Sequence, residues 1–292
     1  LQSSSKITLD GVVAAANGQY GVEVYQSKSG ISLKNVKSTS NGAAGYYSYE
    51  STATLTQCDL TSNRVGAWIR SGSAGLVTKC EIKSNTAEGV LLASHNLKSP
   101  TIKINDNNIH QNGTKEGLSM ATFTLSGKKS GYGTGYANSA AWTAPYYAGG
   151  KNPRATILSL RVGYSEKDYA NKYVNGRVRK DSSSGATMFS TTSSYSTRWH
   201  DVSAYKATKV MAQAYKSASS SSYYGTMSIY GAFYRLAGKT VEIATITDSG
   251  TVDCTNNYWG GFSGFDKRMV LSRTNAINFQ GFAVLPKNVG AQ

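Results

Sequence analysis

Four aromatic residues and one arginine have the side chains to form a surface for sugar rings: Tyr25, Tyr47, Tyr49, Trp68 and Arg70. Tyr25 and Tyr49 are 24 residues apart, and Arg70 follows Tyr49 after another 21. Exposed aromatic faces suit sugar rings, and a guanidinium binds an acidic substituent. The alternative is that these rings only cover a sheet, packing under a second domain. Both hypotheses require a fold that stacks these residues side by side.

A second group of candidate ligand-binding residues consists of Arg177, Arg179 and Lys180, which alternate along a strand-like segment. Alternation predicts a basic strand edge, which either contacts a polyanion or discourages edge-to-edge aggregation. The formal charge is +15, from 31 basic and 16 acidic residues, and residues 119–250 hold 16 basic and 6 acidic residues. Such a field concentrates acidic polysaccharide, lipopolysaccharide, nucleic acid or anionic cell surfaces near the protein, although charge also serves solubility alone.

An asparagine recurs at the same point of five similar phrases, at intervals of 24, 22, 22 and 27 residues: Asn17, Asn41, Asn63, Asn85 and Asn112. Each phrase has an apolar residue eight positions before the asparagine, and a glycine three to five positions after it. A period in the twenties predicts a solenoid. No phrase carries helical apolar spacing long enough for a leucine-rich repeat, so the pattern favours an all-β right-handed parallel β-helix.

The β-helix hypothesis gives these residues structural roles. An asparagine at a bend adopts a left-handed backbone and bonds its neighbours, and coils about 4.8 Å apart let identical asparagines form a ladder. The glycines after each asparagine are predicted to form a second bend, where a Cβ would be costly. Side chains alternate in and out along the strand after each glycine, and outward residues of successive coils line up in rows. One predicted row contains Tyr25, Tyr49 and Arg70, and the next contains Glu23, Tyr47 and Trp68.

Three cysteines do not make a disulfide framework. Cys58 and Cys80 occupy the same position of adjacent coils, so we expect them to stack in the core. Two small buried residues are one interpretation, and a disulfide between coils is the other. No Cys or His spacing indicates zinc.

From residue 119 to about 240 the asparagine pattern is absent, and strand-like segments alternate with linkers rich in Ser, Gly and Tyr. This predicts a β-sandwich inserted where the ladder breaks at Asn112. The stretch 198–236, with its phrase Asp201-Val202-Ser203-Ala204-Tyr205, resembles the second half of jelly-roll modules of secreted and surface proteins. The predicted organisation is β-helix coils over 1–118, the inserted sandwich over 119–240, and a closing coil with its cap over 241–292.

The run 252–260, Val-Asp-Cys-Thr-Asn-Asn-Tyr-Trp-Gly, resembles the signature of right-handed parallel β-helix repeat proteins of the pectate-lyase-like superfamily. In those proteins this signature lies in the closing coil, which implies that Tyr258 and Trp259 cover the open end. A final strand usually follows, and residues 277–286 look like a variant of it.

The resemblance also implies polysaccharide chemistry, often on acidic substrates. A lyase needs a base and positive charge, and His95 with Arg70 is the pair this chain offers if both face one groove. A hydrolase needs two carboxylates. The acidic residues look scattered, with no coil position carrying Asp or Glu in consecutive coils, and no calcium cluster stands out. We therefore predict no metal site and no cofactor.

These observations predict an extracellular or cell-surface protein that binds glycans or other polyanions without catalysis, as an adhesive or structural part of a larger protein. A polysaccharide lyase is the first alternative. A self-associating building block of a filament or envelope layer is the second. No apolar run is long enough for a membrane span. The first residues already resemble part of a coil, so we expect further coils before residue 1.

Overall fold

The computed structural model describes residues 1–70, 73–93, 102–114, 116–145, 155–168, 172–237, 242–246, 252–260, 270–271, 277–278 and 289–291. The chain divides into two compact units. The solenoid unit comprises Leu1–Leu118 and Ala237–Gln292, and the inserted unit comprises Ser119–Leu236. Across the described ranges, no helix is both long and apolar enough to cross a membrane.

The first part of the solenoid unit consists of short strands, mostly three to each coil. They are β1 (Ser5–Asp10), β2 (Val13–Ala15), β3 (Tyr20–Tyr25), β4 (Ser29–Lys34), β5 (Lys37–Thr39), β6 (Ala44–Tyr49), β7 (Thr52–Thr56), β8 (Asp59–Thr61), β9 (Val65–Arg70), β10 (Ala74–Thr78), β11 (Glu81–Lys83), β12 (Val90–Ala93), β13 (Ile102–Asn105) and β14 (Asn108–His110).

The inserted unit contains antiparallel strands and one 3-10 helix. These are β15 (Glu116–Lys129), β16 (Gly135–Asn138), β17 (Trp142–Thr143), β18 (Ile157–Lys167), β19 (Val174–Lys180), β20 (Thr187–Thr191), β21 (Tyr195–Asp201), the 3-10 helix Ser203–Tyr205, β22 (Lys209–Lys216) and β23 (Tyr224–Ala237). The solenoid then resumes with β24 (Ile243–Ile246), β25 (Val252–Asp253), β26 (Val270–Leu271) and β27 (Ile277–Asn278).

Three parallel sheets run along the solenoid. Sheet 1 contains β1, β4, β7, β10, β13, β25 and β27; sheet 2 contains β2, β5, β8, β11 and β14; sheet 3 contains β3, β6, β9, β12, β24 and β26. Strands equivalent in successive coils pair in parallel register, as when Tyr25 pairs with Tyr49. The predicted parallel β-helix is therefore confirmed. Its core consists of inward side chains such as Val24, Leu33 and Ile82, none more than 1% exposed.

The asparagines form a continuous ladder at the turn between sheets 2 and 3. In each step the Oδ1 of one asparagine accepts a hydrogen bond from the backbone N–H of the asparagine in the preceding coil. In three of the four steps, from Asn17, Asn41 and Asn85, the Nδ2 of the preceding asparagine donates to the same oxygen. The distances are 3.0 and 2.8 Å from Asn17 to Asn41, and 3.1 and 2.8 Å from Asn85 to Asn112. Each of these amide oxygens therefore satisfies a backbone donor that the turn would leave unpaired.

The left-handed residue of this turn is not the asparagine. It is the residue before it, with φ between 55° and 57°: Ala16, Ser40, Ser62, Ser84 and Gln111. The predicted left-handed asparagine was therefore wrong. A left-handed residue tightens the turn, and the following asparagine side chain bonds along the stack.

The predicted bend at the glycines was wrong for Gly21, Gly45 and Gly66, which lie within β3, β6 and β9, whereas Gly89 forms a bend just before β12. None of the four has a φ in the left-handed region, so the cost of a Cβ has a different cause. A Cβ on Gly45 would lie 2.6 Å from Asn63 Nδ2 and 2.9 Å from the Gly66 carbonyl oxygen. The glycine of one coil thus leaves room for the asparagine of the next.

Asn112 is the last asparagine of this ladder, as predicted, and after the insertion Glu242 provides its final acceptor. Val90 pairs with Ile243, so Glu242 takes the position that Gly89 holds in the preceding coil. Its carboxylate accepts hydrogen bonds from the backbone N–H of Asn112 at 3.3 and 3.4 Å, and from Asn112 Nδ2. The carboxylate is thus an acceptor where the next asparagine would stand. Glu242 is 1% exposed, and this burial raises the pKa of its carboxyl group.

The other two turns carry ladders of their own. At the turn between sheets 1 and 2, Cys80 N–H donates to Asn107 Oδ1 at 2.9 Å, and Asn107 Nδ2 donates to Asn257 Oδ1 at 3.0 Å. Cys58 N–H approaches Cys80 Sγ at 3.4 Å, and both cysteines are buried and free. Between sheets 3 and 1, Ser27 N–H donates to Ser51 Oγ at 3.1 Å.

The nine-residue signature continues the solenoid. Asn257 extends the second ladder, and Tyr258 forms a parallel bridge with Asn108. Trp259 is 1% exposed within the solenoid core, so its indole fills the coil interior. Of the predicted final strand, β27 covers Ile277–Asn278, and residues 279–286 lie outside the described residues.

The inserted unit consists of two antiparallel sheets. One has the order β15-β23-β18-β21, and the other has the order β16-β22-β19-β20 with β17 also paired to β22. Their shared core includes Leu160, Val178 and Ile229, all 0% exposed. The Asp201 carboxylate accepts hydrogen bonds from the backbone N–H and hydroxyl of Ser203, at 2.9 and 2.6 Å. The jelly-roll-like phrase therefore stabilises the start of the 3-10 helix.

Candidate functional site

The outward face of sheet 3 brings the predicted aromatic residues together. Tyr47 pairs in register with Glu23 on one side and with Trp68 on the other. Tyr25 pairs with Tyr49 in the neighbouring row. Because the coils stack in parallel, residues from three successive coils form one surface. We call Tyr20, Tyr25, Tyr47, Tyr49, Trp68 and Arg70 the sheet 3 platform.

The rings of the platform contact one another in pairs. The Tyr25 and Tyr49 rings stack with centroids 5.1 Å apart and planes inclined by 17°. Tyr47 stacks on Tyr20 at 4.2 Å and meets Trp68 edge-on at 5.5 Å. Offset stacks and edge contacts are the favoured arrangements of aromatic pairs. The sequence analysis did not identify Tyr20. Alternation was read only from the residues after the glycine, and Tyr20 precedes Gly21 at the start of β3.

Arg70 lies among these rings. Its Cζ atom is 5.6 Å from the Tyr49 ring centroid and 5.8 Å from that of Trp68. Its Nη1 donates a hydrogen bond to the Tyr47 hydroxyl at 3.0 Å. A guanidinium within about 6 Å of an aromatic face gains roughly 0.5–2 kcal/mol, more as water is excluded. The platform therefore holds one positive charge in a fixed position against aromatic surface.

The members of the platform differ in exposure. Tyr47 faces outward but is 4% exposed, so it supports Arg70 and does not offer a ring to a ligand. Tyr25, Tyr49, Trp68 and Arg70 are partly exposed. Burial, followed by the neighbouring Glu50 carboxylate, raises the pKa of Tyr49, which keeps its phenol neutral at physiological pH. The accessible surface thus combines aromatic edges and faces with one cationic group, and the exposed Glu23 carboxylate lies beside it in the Tyr47 row.

The predicted catalytic pair is not established by this geometry. His95 lies outside the described residues. Arg70 has a structural hydrogen bond to Tyr47 and ring contacts on either side. Arg70 therefore remains a binding candidate, and the lyase hypothesis remains a prediction.

The expectation that no coil position carries acids in consecutive coils was wrong. Asp59 and Glu81 pair in register on sheet 2, each directly after a core cysteine. Glu81 Oε1 is 3.1 Å from both Lys83 Nζ and His110 Nε2, and its Oε2 accepts a hydrogen bond from Asn108 Nδ2 at 2.8 Å. The repeated Cys-acid dipeptide was the sequence signal for this pair.

The two carboxylates have different environments. Burial acts to raise the pKa of Glu81, but hydrogen bonds from His110, Asn108 and Lys83 outweigh it and lower the pKa to about 2. Burial raises the pKa of Asp59, whose Oδ1 accepts a hydrogen bond from the Ala291 backbone N–H at 3.0 Å. Both carboxylates are therefore bound by donors of the chain itself. Over the described parts of the chain, no three His, Cys, Asp or Glu residues gather to hold a metal ion.

The predicted basic strand edge in the inserted unit was wrong, because β19 lies between β22 and β20. Its three basic residues also have separate environments. Arg177 lies over two tyrosine rings. Arg179 donates from Nε to the Ser183 carbonyl oxygen at 3.0 Å, and Lys180 Nζ is 3.9 Å from the Asp181 carboxylate.

Comparisons with known proteins agree with the solenoid. Residues 1–140 match the family model described as a right-handed β-helix region. A search of curated proteins gives no match. Among solved structures, the chain is similar to the enzymatically active domain of tailspike protein 4 of bacteriophage CBA120, with 8% identity and a TM-score of 0.21. That match covers 78% of this chain and 44% of the tailspike chain, so this chain spans less than half of it. A similarity this low identifies neither a substrate nor an activity.

Proposed function

We propose that this right-handed β-helix protein binds an acidic polysaccharide at a cell surface through the sheet 3 platform, without cleaving it. The observation that carries the proposal is the position of Arg70, held between the rings of Tyr49 and Trp68. A sugar ring packs its C–H face on an aromatic side chain, and its carboxylate or sulfate pairs with the guanidinium.

The shape of the solenoid supports a polymeric ligand. Equivalent residues repeat at the coil spacing, about 4.8 Å, so Tyr25, Tyr49 and Arg70 follow one another along the solenoid axis. A single sugar unit would engage one or two coils, whereas an extended chain engages several. The overall charge of +15 favours approach of a polyanion from solution.

The test is binding of the full chain to alginate, pectate and glycosaminoglycan fragments, with dextran as the neutral comparison. Arg70→Ala removes the cation and the ring contacts, and we expect at least tenfold weaker binding, about 1.4 kcal/mol. Lys103→Ala is the matched control, because Lys103 is an exposed cation on sheet 1 and its loss changes the net charge equally. We expect this control to bind within twofold of the parent chain.

Two results would contradict the proposal. Equal losses for Arg70→Ala and Lys103→Ala would show that only overall charge matters. Ultraviolet-absorbing unsaturated products in the same mixtures would show lyase activity, and the protein would then be catalytic.

A further inference from the structure

An exposed tyrosine pair lies on the sheet β16-β22-β19 of the inserted unit. Tyr136 and Tyr215 are directly paired across β16 and β22, and their ring centroids are 4.6 Å apart with planes inclined by 38°. Tyr136 is 52% exposed, whereas most large apolar side chains of the unit are buried in its core. The pair thus presents aromatic surface to solvent.

Arg177 joins this pair from β19. Its Cζ atom is 5.6 Å from the ring centroid of Tyr136 and 5.6 Å from that of Tyr215. Its Nε donates to Asn175 Oδ1 at 3.0 Å, which fixes the plane of the guanidinium. Within the described part of the chain, neither Nη nitrogen of Arg177 has a hydrogen-bond partner and no carboxylate pairs with it. These nitrogens form the fork that binds a carboxylate through two parallel hydrogen bonds.

The inserted unit is also the more basic of the two units. It contains 15 Lys and Arg residues and 4 Asp and Glu residues, a formal charge of +11 out of the total +15. A positively charged unit with one oriented and unpaired guanidinium on an aromatic surface suits an anionic ligand that also has an apolar face.

We propose that Tyr136, Tyr215 and Arg177 form a second glycan-binding site, specific for a sugar ring that carries a carboxylate. The pyranose ring packs on the exposed Tyr136 side chain, and its planar carboxylate accepts two hydrogen bonds from the Arg177 fork. A nucleobase can also stack on one ring face, but it carries no carboxylate for the Arg177 fork, so competition by nucleic acid is an outcome of the test. This site shares its ligand class with the sheet 3 platform but uses none of its residues.

The experiment is titration of the full chain with uronic acid oligosaccharides prepared from alginate, followed by calorimetry, in the parent chain and in single variants. In the Arg70→Ala background, which lacks the platform cation, the remaining binding reports this site. There we expect Arg177→Ala to weaken binding at least tenfold. Arg177→Lys keeps the charge without the planar fork, and we expect an intermediate loss of about threefold.

Two further variants make the result specific. Tyr136→Leu alters a half-exposed side chain outside the core, and we expect about fivefold weaker binding with the fold retained by circular dichroism. Lys128→Ala removes an exposed cation from β15 in the other sheet of this unit, and we expect binding within twofold of the parent.

The outcomes separate this proposal from the previous one. Unchanged binding in Arg177→Ala, equal loss in Lys128→Ala, or equal competition by a single-stranded DNA oligonucleotide would overturn the second site. Loss in Arg177→Ala with no effect of Arg70→Ala would instead overturn the platform and retain this site.

Discussion

Replacement of Asn85 by alanine tests the asparagine ladder most directly. Asn85 Oδ1 accepts the backbone N–H of Asn63 at 2.9 Å, and its Nδ2 donates to the Leu60 carbonyl oxygen at 3.0 Å and to Asn112 Oδ1 at 2.8 Å. Alanine removes all three bonds. The hydrogen bond from Asn85 N–H to Asn112 Oδ1, at 3.1 Å, survives because it uses only the backbone of residue 85.

The magnitude follows from this count. A lost hydrogen bond costs about 1 kcal/mol net, and a buried group left without a partner costs about 1–3 kcal/mol. Asn63 is 0% exposed, so its N–H loses its acceptor where water does not enter. We therefore expect Asn85→Ala to lower the free energy of unfolding by about 3–5 kcal/mol.

Asn17→Ala is the matched control at the other end of the ladder. Asn17 is exposed, and its side chain makes one ladder bond, from Nδ2 to Asn41 Oδ1. We expect a loss of about 1 kcal/mol. Urea denaturation monitored by circular dichroism compares the two variants, and hydrogen exchange at the Asn63 amide locates the damage. Equal losses in both variants, or unchanged protection of that amide in Asn85→Ala, would refute the ladder argument.

Two further predictions concern the glycine positions of the ladder. Gly66→Ala places a Cβ 2.5 Å from the Gly89 carbonyl oxygen, so we expect thermal unfolding to show a destabilisation of about 1–3 kcal/mol. Gly18→Ala is the control, because its Cβ would have no atom within 4 Å, and we expect its stability to change by less than about 0.5 kcal/mol. Because the pKa of Glu242 is raised in the folded state, its protonation favours folding: that contribution is complete below the usual glutamate pKa and is lost as pH rises through the raised pKa. Glu242→Gln should remove this fall in stability as pH rises above the usual glutamate pKa, and a parallel pH profile in parent and variant would contradict the assignment.

The solenoid was predictable because the ladder requires nearly constant coil length. Asparagine amides of successive coils can bond only when they recur at the same turn. The spacing of 22–27 residues therefore gives the length of one coil and indicates a solenoid. The backbone of that turn was harder to predict. Its left-handed residue precedes the asparagine and has no common type, since alanine, serine and glutamine all occupy it.

The candidate sites were predictable only in the coils, where the asparagine fixes the register of the next strand. The register then tells which side chains of that strand point outward. Alternation along β6 and β9 placed Tyr49 and Arg70 correctly on one face, but the sequence pattern contains no sign that neighbours cover Tyr47. In the inserted unit no repeat fixes the register. The contact of Arg177 with Tyr136 joins residues from strands that are distant in sequence and are brought together by β22.

The ladder bonds that cross the insertion have a consequence for the order of folding. Most ladder contacts join residues 22–27 positions apart, but Asn112 to Glu242 and Asn107 to Asn257 span 130 and 150 positions. Closing a flexible loop of that length costs about 1–2 kcal/mol more than closing a single coil.

The inserted unit removes this cost if it folds first. Its first strand, β15, and its last, β23, are neighbours in one sheet, with the Ser126 and Ser228 hydroxyls 2.8 Å apart and the Cα of Gly231 facing the Ala121 carbonyl. The two contacts show that β15 and β23 are antiparallel, so the start of β15 lies beside the end of β23. The chain therefore enters and leaves the unit at neighbouring points. Because its two ends lie together, the folded insertion shortens the loop that the hydrogen bonds Asn112–Glu242 and Asn107–Asn257 have to close.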